Sequence, residues 1–268
     1  MNNVTLRDRQ RGLSLIELMV AMLIGLFLML GVTQIFINNQ KSYLFQQGQL
    51  GNEENGRFAL SSLNQELLKA GYRSFLVPDI PSDNSTVSGC TFNAGEAVAA
   101  ISATSFCIQY QATSKADVNC LGTALVAADI SAISAPYSAK TTVVRPKIVE
   151  KIAFDANTSA VTCTTSAGTQ QLVTGVKDLR FEYGSGVAGS KAVTSFSTTP
   201  TGTIAAVRYS ALMQSPGSST IRDDTSQTSS VLTDWNSRYS TTYGSTTAEK
   251  ASIYQIVQGT TMIRNQLQ

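Results

Sequence analysis

The sequence contains no histidine. This absence excludes the Ser-His-Asp triad, the Cys-His dyad and zinc sites with histidine ligands, because each of them needs an imidazole. Charged residues are also few, at 14% of 268, and 20 basic against 18 acidic side chains leave a net charge of +2. This net charge lacks the large positive excess that is typical of proteins that bind nucleic acid. Catalysis by carboxylates or lysine stays open, but the commonest general base is missing. We expect no enzyme, no cofactor, no metal and no direct binding of nucleic acid.

The N-terminal part of the chain combines a basic leader with a long uncharged segment. Arg7, Arg9 and Arg11 precede residues 18–40, none of which is charged. About 20 apolar residues span a bilayer, and flanking arginines favour the cytoplasmic side. Secretory signals have a shorter apolar region and a small-residue cleavage site, and no such site follows here. We expect a single-pass anchor with its N-terminus in the cytoplasm and the rest of the chain in the periplasm.

Glu17 interrupts the apolar sequence around it. A carboxylate near hydrocarbon costs several kcal/mol unless it is paired, so it indicates a function; the alternative is a residue at the headgroup boundary. The order of features is a basic leader, Gly12, the segment Leu-Ser-Leu-Ile-Glu-Leu at 13–18 and a long apolar helix. Over residues 7–37 this order resembles the class III signal of type IV pilins and pseudopilins.

That resemblance implies a processing site and a docking residue. Prepilin peptidase would cleave after Gly12, and the new amino group of Leu13 would be N-methylated, although the family more often has Phe at this position. Glu17 would pair with the charged N-terminus of a neighbouring subunit, and such a buried pair is costly to break. The implied partners are the inner membrane, prepilin peptidase and other minor and major pilins, with a tip adhesin as a further candidate.

The helix is expected to continue beyond the membrane to about residue 70. Ala59, Leu63 and Leu67 are spaced by four and form an apolar stripe, which Leu60 and Leu68 widen. Glu66 and Lys69 lie on its polar side. Gly71 is a plausible C-cap. Gly48, Gly51 and Gly56 oppose this prediction, because a glycine inside a helix costs about 1 kcal/mol.

Residues 56–72 indicate which family of pilins the chain resembles. They follow the pattern R-F-A-L-x-x-L-x-x-E-L-x-x-A-G-Y, which is similar to that of the PilW family of minor type IV pilins. Stretches at 119–122, 175–184 and 261–265 agree with it. The J component of type II secretion pseudopili shares several of these features and is the nearest alternative.

The remainder of the chain is expected to form strands. Serine and threonine make up 61 of 268 residues, which favours strands and turns. Apolar residues alternate near 106–110 and 179–183; further strands are predicted at 149–155 and 161–165, which flank a turn, and at 204–212 and 253–263. We predict an α+β, pilin-like fold with antiparallel β packed on the long helix.

The predicted organisation is a leader at 1–12, an apolar helix at 13–40, its amphipathic extension at 41–72, and a β-rich domain at 73–268 with a flexible loop at about 214–248.

Four cysteines lie in the β-rich domain, at Cys90, Cys107, Cys120 and Cys163. An even number in an oxidising compartment favours two disulfides, for which three connectivities are possible. We prefer Cys90–Cys107 with Cys120–Cys163. Free buried thiols are the alternative.

Three other motifs resemble the sequence patterns of ligand-binding sites, but each has a simpler interpretation. The G-x-G-x-x-G at 184–189 is not followed by the helix that a nucleotide site requires, and we expect a loop. The Asp155-x-Asn157-x-Ser159 segment lacks the later residues of a calcium loop, so a turn is expected. Asp223-Asp224 could bind a cation loosely, although an exposed charged loop explains it equally well.

Three classes of function therefore remain. The first is a minor pilin in type IV pilus assembly or initiation, with the secretion pseudopilin as its variant. The second is a binding or adhesion module at a filament tip. The third is an anchored enzyme, for which the sequence supplies no nucleophile–base constellation.

Overall fold

A computed structural model describes residues 12, 14–73, 83–84, 87–111, 117–124, 147–185, 192–215, 221–222 and 225–266. The chain forms two compact units, residues 1–47 and 48–268. One helix, α1, runs over Leu15–Lys69 and contributes to both units. The predicted long helix is therefore confirmed, and the glycines that opposed it lie within it.

The first unit consists of α1 up to Gln47. Every described residue in this unit is exposed, including an uninterrupted series of large apolar side chains. The helix has the length and composition that a membrane crossing needs. A single long apolar N-terminal helix of this kind is consistent with a single-pass membrane anchor.

The second unit contains two antiparallel sheets and a short β-ribbon instead of one sheet. In chain order the strands are β1 Asp83–Asn84, β2 Thr91–Phe92, β3 Val98–Ser102, β4 Ser105–Gln111, β5 Lys147–Asp155, β6 Ala160–Thr165, β7 Gly168–Thr174, β8 Val176–Ser185, β9 Ser195–Ser197, β10 Ile204–Gln214 and β11 Tyr254–Met262. The first sheet has the order β3-β4-β5-β6-β7 and the second β11-β10-β8-β9, while β1 pairs with β2. The predicted strands and the hairpin between β5 and β6 are confirmed, in an α+β, pilin-like architecture.

One hydrophobic core joins the helix to both sheets. Ala59, Leu63 and Leu67 are fully buried in it, as their spacing predicts. Leu68, expected to widen this stripe, is 49% exposed, because it lies on the opposite side of the helix. Phe106 of the first sheet meets Phe181 of the second edge to face, with ring centroids 4.8 Å apart. Aromatic pairs of this geometry add to the stability that area burial gives. The two sheets are therefore held by shared packing as well as by the helix.

Residues 214–248, expected to be a loop, include helix α2 over Ser230–Tyr239 and the start of α3 over Thr247–Ala251. The loop prediction is wrong for these helices. Leu232 and Trp235 lie three residues apart, so they share one face of α2 and pack against Leu212 and Tyr254. A short apolar face inside a Ser- and Thr-rich segment produces too weak a periodic signal to outweigh composition. Pro216 and Gly217, which suggested the loop, lie outside the described residues.

Candidate functional site

The predicted processing and docking residues lie at the start of α1. Gly12 is exposed and precedes the helix, while Leu13 lies outside the described residues. Glu17 stands in the first turn of α1 and is itself exposed. A negative charge is favourable there because the helix dipole places partial positive charge at the N-terminus.

The surroundings of Glu17 are apolar and uncovered. Leu15 is 78% exposed, Ile16 69% and Leu18 49%, and exposed apolar side chains continue beyond them to Ile37. Soluble monomers rarely expose so large a continuous apolar surface, so such a surface indicates a membrane or a protein interface. The start of α1 therefore offers one carboxylate within a surface that needs lipid or other helices to cover it.

In the second unit, small residues let α1 approach the second sheet closely. A Cβ added at Gly56 would lie 2.7 Å from Val257 Cγ1, and one at Gly48 would lie 3.3 Å from Ile253 Cδ1. Between them, Asn52 is buried and its Nδ2 donates to the carbonyl of Ile253 at 3.0 Å. Close packing therefore favours glycine at positions 48 and 56, although glycine lowers helix propensity there. Their spacing of eight, with a small polar residue midway, is the signal that propensity reasoning missed.

The C-terminal end of α1 is fixed by the chain that follows it. Gly71 adopts φ +73°, as a helix C-cap glycine does, and its N–H donates to the carbonyl of Gln109 at 2.8 Å. Near the end of the chain, Thr261 Oγ1 donates to Asn64 Oδ1 at 2.8 Å and Asn265 Nδ2 to the carbonyl of Ala70 at 3.0 Å. The predicted cap is confirmed, and three hydrogen bonds tie the last turns of the helix to β4 and to the residues near 261–265.

Both disulfides have the connectivity preferred from the sequence. Cys90 pairs with Cys107 of β4, and Cys120 pairs with Cys163 of β6. The Cα atoms lie 5.8 and 6.2 Å apart, within the range that a disulfide needs. The second disulfide attaches the described segment 117–124 to the first sheet.

The carboxyl groups of Glu66 and Glu150 are buried, and Glu150 lies beside this second disulfide. Glu150 of β5 is fully buried, and its Oε1 accepts hydrogen bonds from Tyr110 Oη at 2.7 Å and from the backbone N–H of Cys120 at 2.8 Å. Its Oε2 has no donor among the described residues. The carboxyl of Glu66, in turn, accepts from Lys69 Nζ at 2.7 Å. Glu66 was expected on the polar side of the helix but is buried, because the end of the helix packs against the first sheet.

The electrostatics of this pair follow from burial. Loss of hydration and the neighbouring Glu66 carboxyl raise the pKa of Glu150 from 4.5 to about 7. Burial, together with the negative charge of Glu150, also raises the pKa of Tyr110. The phenol therefore remains a hydrogen-bond donor throughout the physiological pH range.

A cluster of Cys120, Glu150 and Cys163 has the proximity of a metal site, with potential ligand atoms within 4.8 Å of one another. Its two sulfur atoms form a disulfide and cannot act as thiolate ligands. One carboxylate alone does not make a metal site. The described cluster therefore does not fit a resident metal ion.

The structure describes only some of the residues of the three other motifs. The G-x-G-x-x-G begins at the end of β8, positions 186–189 lie outside the described residues, and the next described element is strand β9. Asp155 accepts from Thr158 Oγ1 at 2.8 Å and from the N–H of Asn157 at 2.9 Å, which lowers the pKa of Asp155 and confirms a turn. Asp223 and Asp224 lie outside the described residues.

Sequence reasoning also missed the ionic contact beneath α2. Trp235 is fully buried and its Nε1 donates to Asp178 Oδ2 at 3.1 Å, while Arg180 Nη2 donates to the same oxygen at 2.8 Å. Buried charges need such partners. The only tryptophan in the chain, in a segment otherwise rich in serine and threonine, was the available signal.

Two family models match the chain. Residues 7–33 match the prokaryotic N-terminal methylation motif, and residues 138–265 match the type IV pilus-assembly protein W family. The stretches at 175–184 and 261–265 lie inside the second match, whereas those at 56–72 and 119–122 lie outside both. Neither a curated protein nor a solved structure matches the chain. Together with the apolar helix and the antiparallel sheets, the two family matches support a PilW-family minor pilin.

Proposed function

We propose that this minor pilin acts in the assembly or initiation of type IV pili, as a structural subunit without catalytic activity. The observation that carries the proposal is the exposed apolar helix of the first unit, with one carboxylate in its first turn. In the membrane, lipid covers this surface. In a filament, helices of other pilins replace the lipid, so that extraction exchanges one apolar environment for another.

Glu17 determines the position of docking in this mechanism. Prepilin peptidase removes residues 1–12, and the exposed amino group of Leu13 becomes N-methylated and keeps its positive charge. Glu17 then pairs with the charged N-terminus of a neighbouring subunit once lipid no longer surrounds it. Only one axial position satisfies both charges, and an unpaired charge in the apolar core is strongly unfavourable. The N-terminus faces the cytoplasm before assembly, and the β-rich unit lies in the periplasm and then at the pilus tip.

The second unit offers a further surface for neighbouring pilins. Leu50, Phe58 and Leu68 are 66%, 57% and 49% exposed and lie on the side of α1 opposite its buried stripe. Three apolar side chains on one otherwise polar face favour contact with another helix or domain. This surface supports a subunit role over a free-standing binding module, and the PilW match favours the pilus over the secretion pseudopilus.

Replacing Glu17 by Gln tests the docking step. Glu17→Gln keeps the shape of the side chain and removes its charge, so membrane insertion should persist while piliation and recovery of partner pilins fall strongly. Thr33→Val is the matched control, because Thr33 Oγ1 bonds the Met29 carbonyl within the same helix. Intact mass from each strain should show loss of residues 1–12 and an added methyl group. Normal piliation and partner recovery with Glu17→Gln would disprove the docking role, and unprocessed protein in filaments would contradict the processing step.

A further inference from the structure

The buried carboxyl pair of the second unit requires a proton to be stable as observed. Glu150 is fully buried, and its Oε2 has no donor among the described residues, whereas its Oε1 has two. The Glu66 carboxyl, on α1, is the neighbouring acidic group whose charge acts on Glu150. Two carboxylates cannot hydrogen-bond to each other unless one of them carries a hydrogen. Two ionised carboxylates that act on each other away from water would repel strongly.

The other groups around the pair do not remove this requirement. From α1, Lys69 Nζ bonds Glu66 and lies 5.8 Å from the centre of the Tyr110 ring. From β4, Tyr110 already donates its only hydrogen to Glu150 Oε1. From the segment 117–124, the backbone N–H of Cys120 donates to the same oxygen, and Asp117 adds negative charge near Tyr110. From β6, Cys163 contributes a disulfide sulfur without a proton.

Among the described residues, Lys69 is the cation bonded to this pair of carboxyls. Lys69 neutralises Glu66, with which it forms an ion pair three residues apart on α1. Glu150 has no cation bonded to it among the described residues, so it is the group expected to carry the proton. We propose that Glu66 and Glu150 form a proton-binding site that holds one proton between their carboxyl groups and thereby fastens the segment 117–124 and β5 to the end of α1. Loss of this proton leaves two negative charges facing each other and weakens the contact of the segment 117–124 and β5 with the end of α1.

The direction of the pH effect follows from linkage. The closed site retains its proton up to about pH 7, whereas a carboxyl released to water loses it near pH 4.5. Between these values the closed form binds one more proton than the open form. The opening equilibrium should therefore rise by about tenfold per pH unit in this window and level off above it. The site is closed under acid conditions and less firmly closed in alkaline ones.

The test uses the full oxidised chain in detergent micelles. It measures the hydrogen-exchange rates of the backbone amides in 117–124, and these rates are corrected for the intrinsic dependence of exchange on pH. Wild type should show opening that rises from pH 5 to 7 and is flat from 7 to 8.5. In Glu150→Gln the amide is neutral at every pH, so the pH dependence should disappear. In Glu66→Gln the amide can donate to Glu150, which should remove the dependence by stabilising the ionised form. Glu54→Gln, an exposed acid on the same helix, should behave as wild type.

Infrared spectra give an independent readout. A protonated-carboxyl band that persists at pH 6 in wild type and Glu54→Gln, and is lost in Glu150→Gln and Glu66→Gln, is the expected result. Two outcomes would overturn the proposal. One is a wild type with no protonated carboxyl at pH 6; the other is an opening equilibrium that does not change between pH 5 and 7. If Glu150→Gln does not fold, the wild-type titration and Glu66→Gln still decide the question.

Discussion

The two units differ in the surroundings that they give to acidic side chains. In the first unit Glu17 is exposed among apolar side chains that have no cover in the described structure of that unit. In the second unit both oxygens of the buried Asp178 accept hydrogen bonds, and buried Glu150 accepts two at one oxygen and, as we propose, carries a proton at the other. In the second unit, groups within the same unit offset the free-energy cost of burying an acidic side chain. In the first unit nothing described offsets the cost of placing Glu17 among apolar side chains, and we propose that assembly with other subunits does so.

This contrast predicts where stability resides. Changes in the second unit should alter its unfolding as a single chain, because its contacts are internal. Changes in the first unit should alter insertion or assembly and leave the unfolding of the second unit intact. Three substitutions test this division, each measured on the full chain in detergent micelles by the loss of near-ultraviolet circular dichroism.

The largest effect is expected from Cys120→Ser. Loss of a native disulfide in a small secreted domain typically costs about 2–5 kcal/mol of the free energy of unfolding. The bond spans 43 residues against 17 for Cys90–Cys107, so chain entropy predicts that its loss costs about 0.8 kcal/mol more than that of the other. Cys90→Ser is therefore the matched comparison. Equal melting of wild type under oxidising and reducing conditions would contradict the prediction.

The features recovered from the sequence are those with a local period. The stripe through Ala59, Leu63 and Leu67, the cap at Gly71 and the alternating strands each repeat within a few residues, so propensity and spacing were sufficient. The disulfides differ in this respect, because cysteine spacing alone leaves three connectivities open.

The features that the sequence did not reveal depend on distant partners. Glu66 and Glu150 are 84 positions apart, and no local pattern brings them together. Gly48 and Gly56 argue against a helix until the second sheet is present, because only then does close approach outweigh propensity. Helix α2 has two buried side chains in ten residues, too few to stand out from the surrounding serine and threonine.

An intermediate effect is expected from Trp235→Phe. The change removes the indole donor to buried Asp178 and leaves a small cavity, and hydrogen bonds to charged groups are worth about 1.5–3 kcal/mol. We expect a loss of about 2–3 kcal/mol in the free energy of unfolding, since Arg180 and the N–H of Leu179 still bind the carboxylate.

Tyr239→Phe is the control for that change. Tyr239 packs against Trp235, with ring centroids 4.5 Å apart, and its hydroxyl has no hydrogen-bond partner within the part of the chain that the structure describes. Removing that hydroxyl should leave stability unchanged or slightly higher. If both variants lose stability equally, packing and not the bond to Asp178 holds α2.

The smallest effect comes from a pair of glycines that compares the two units directly. Gly56→Ala places a methyl group 2.7 Å from Val257 Cγ1, and overpacking of this kind costs about 1–3 kcal/mol, which better helix propensity offsets by about 1. We expect a net loss of about 1 kcal/mol in the second unit. Gly31→Ala meets no atom within 4 Å and should leave the unfolding of that unit unchanged while raising helix content slightly. A stabilising effect of Gly56→Ala would mean that the helix does not need its close approach to β11. A destabilising effect of Gly31→Ala on the second unit would mean that the two units do not unfold independently, and the contrast between them would fail at its simplest point.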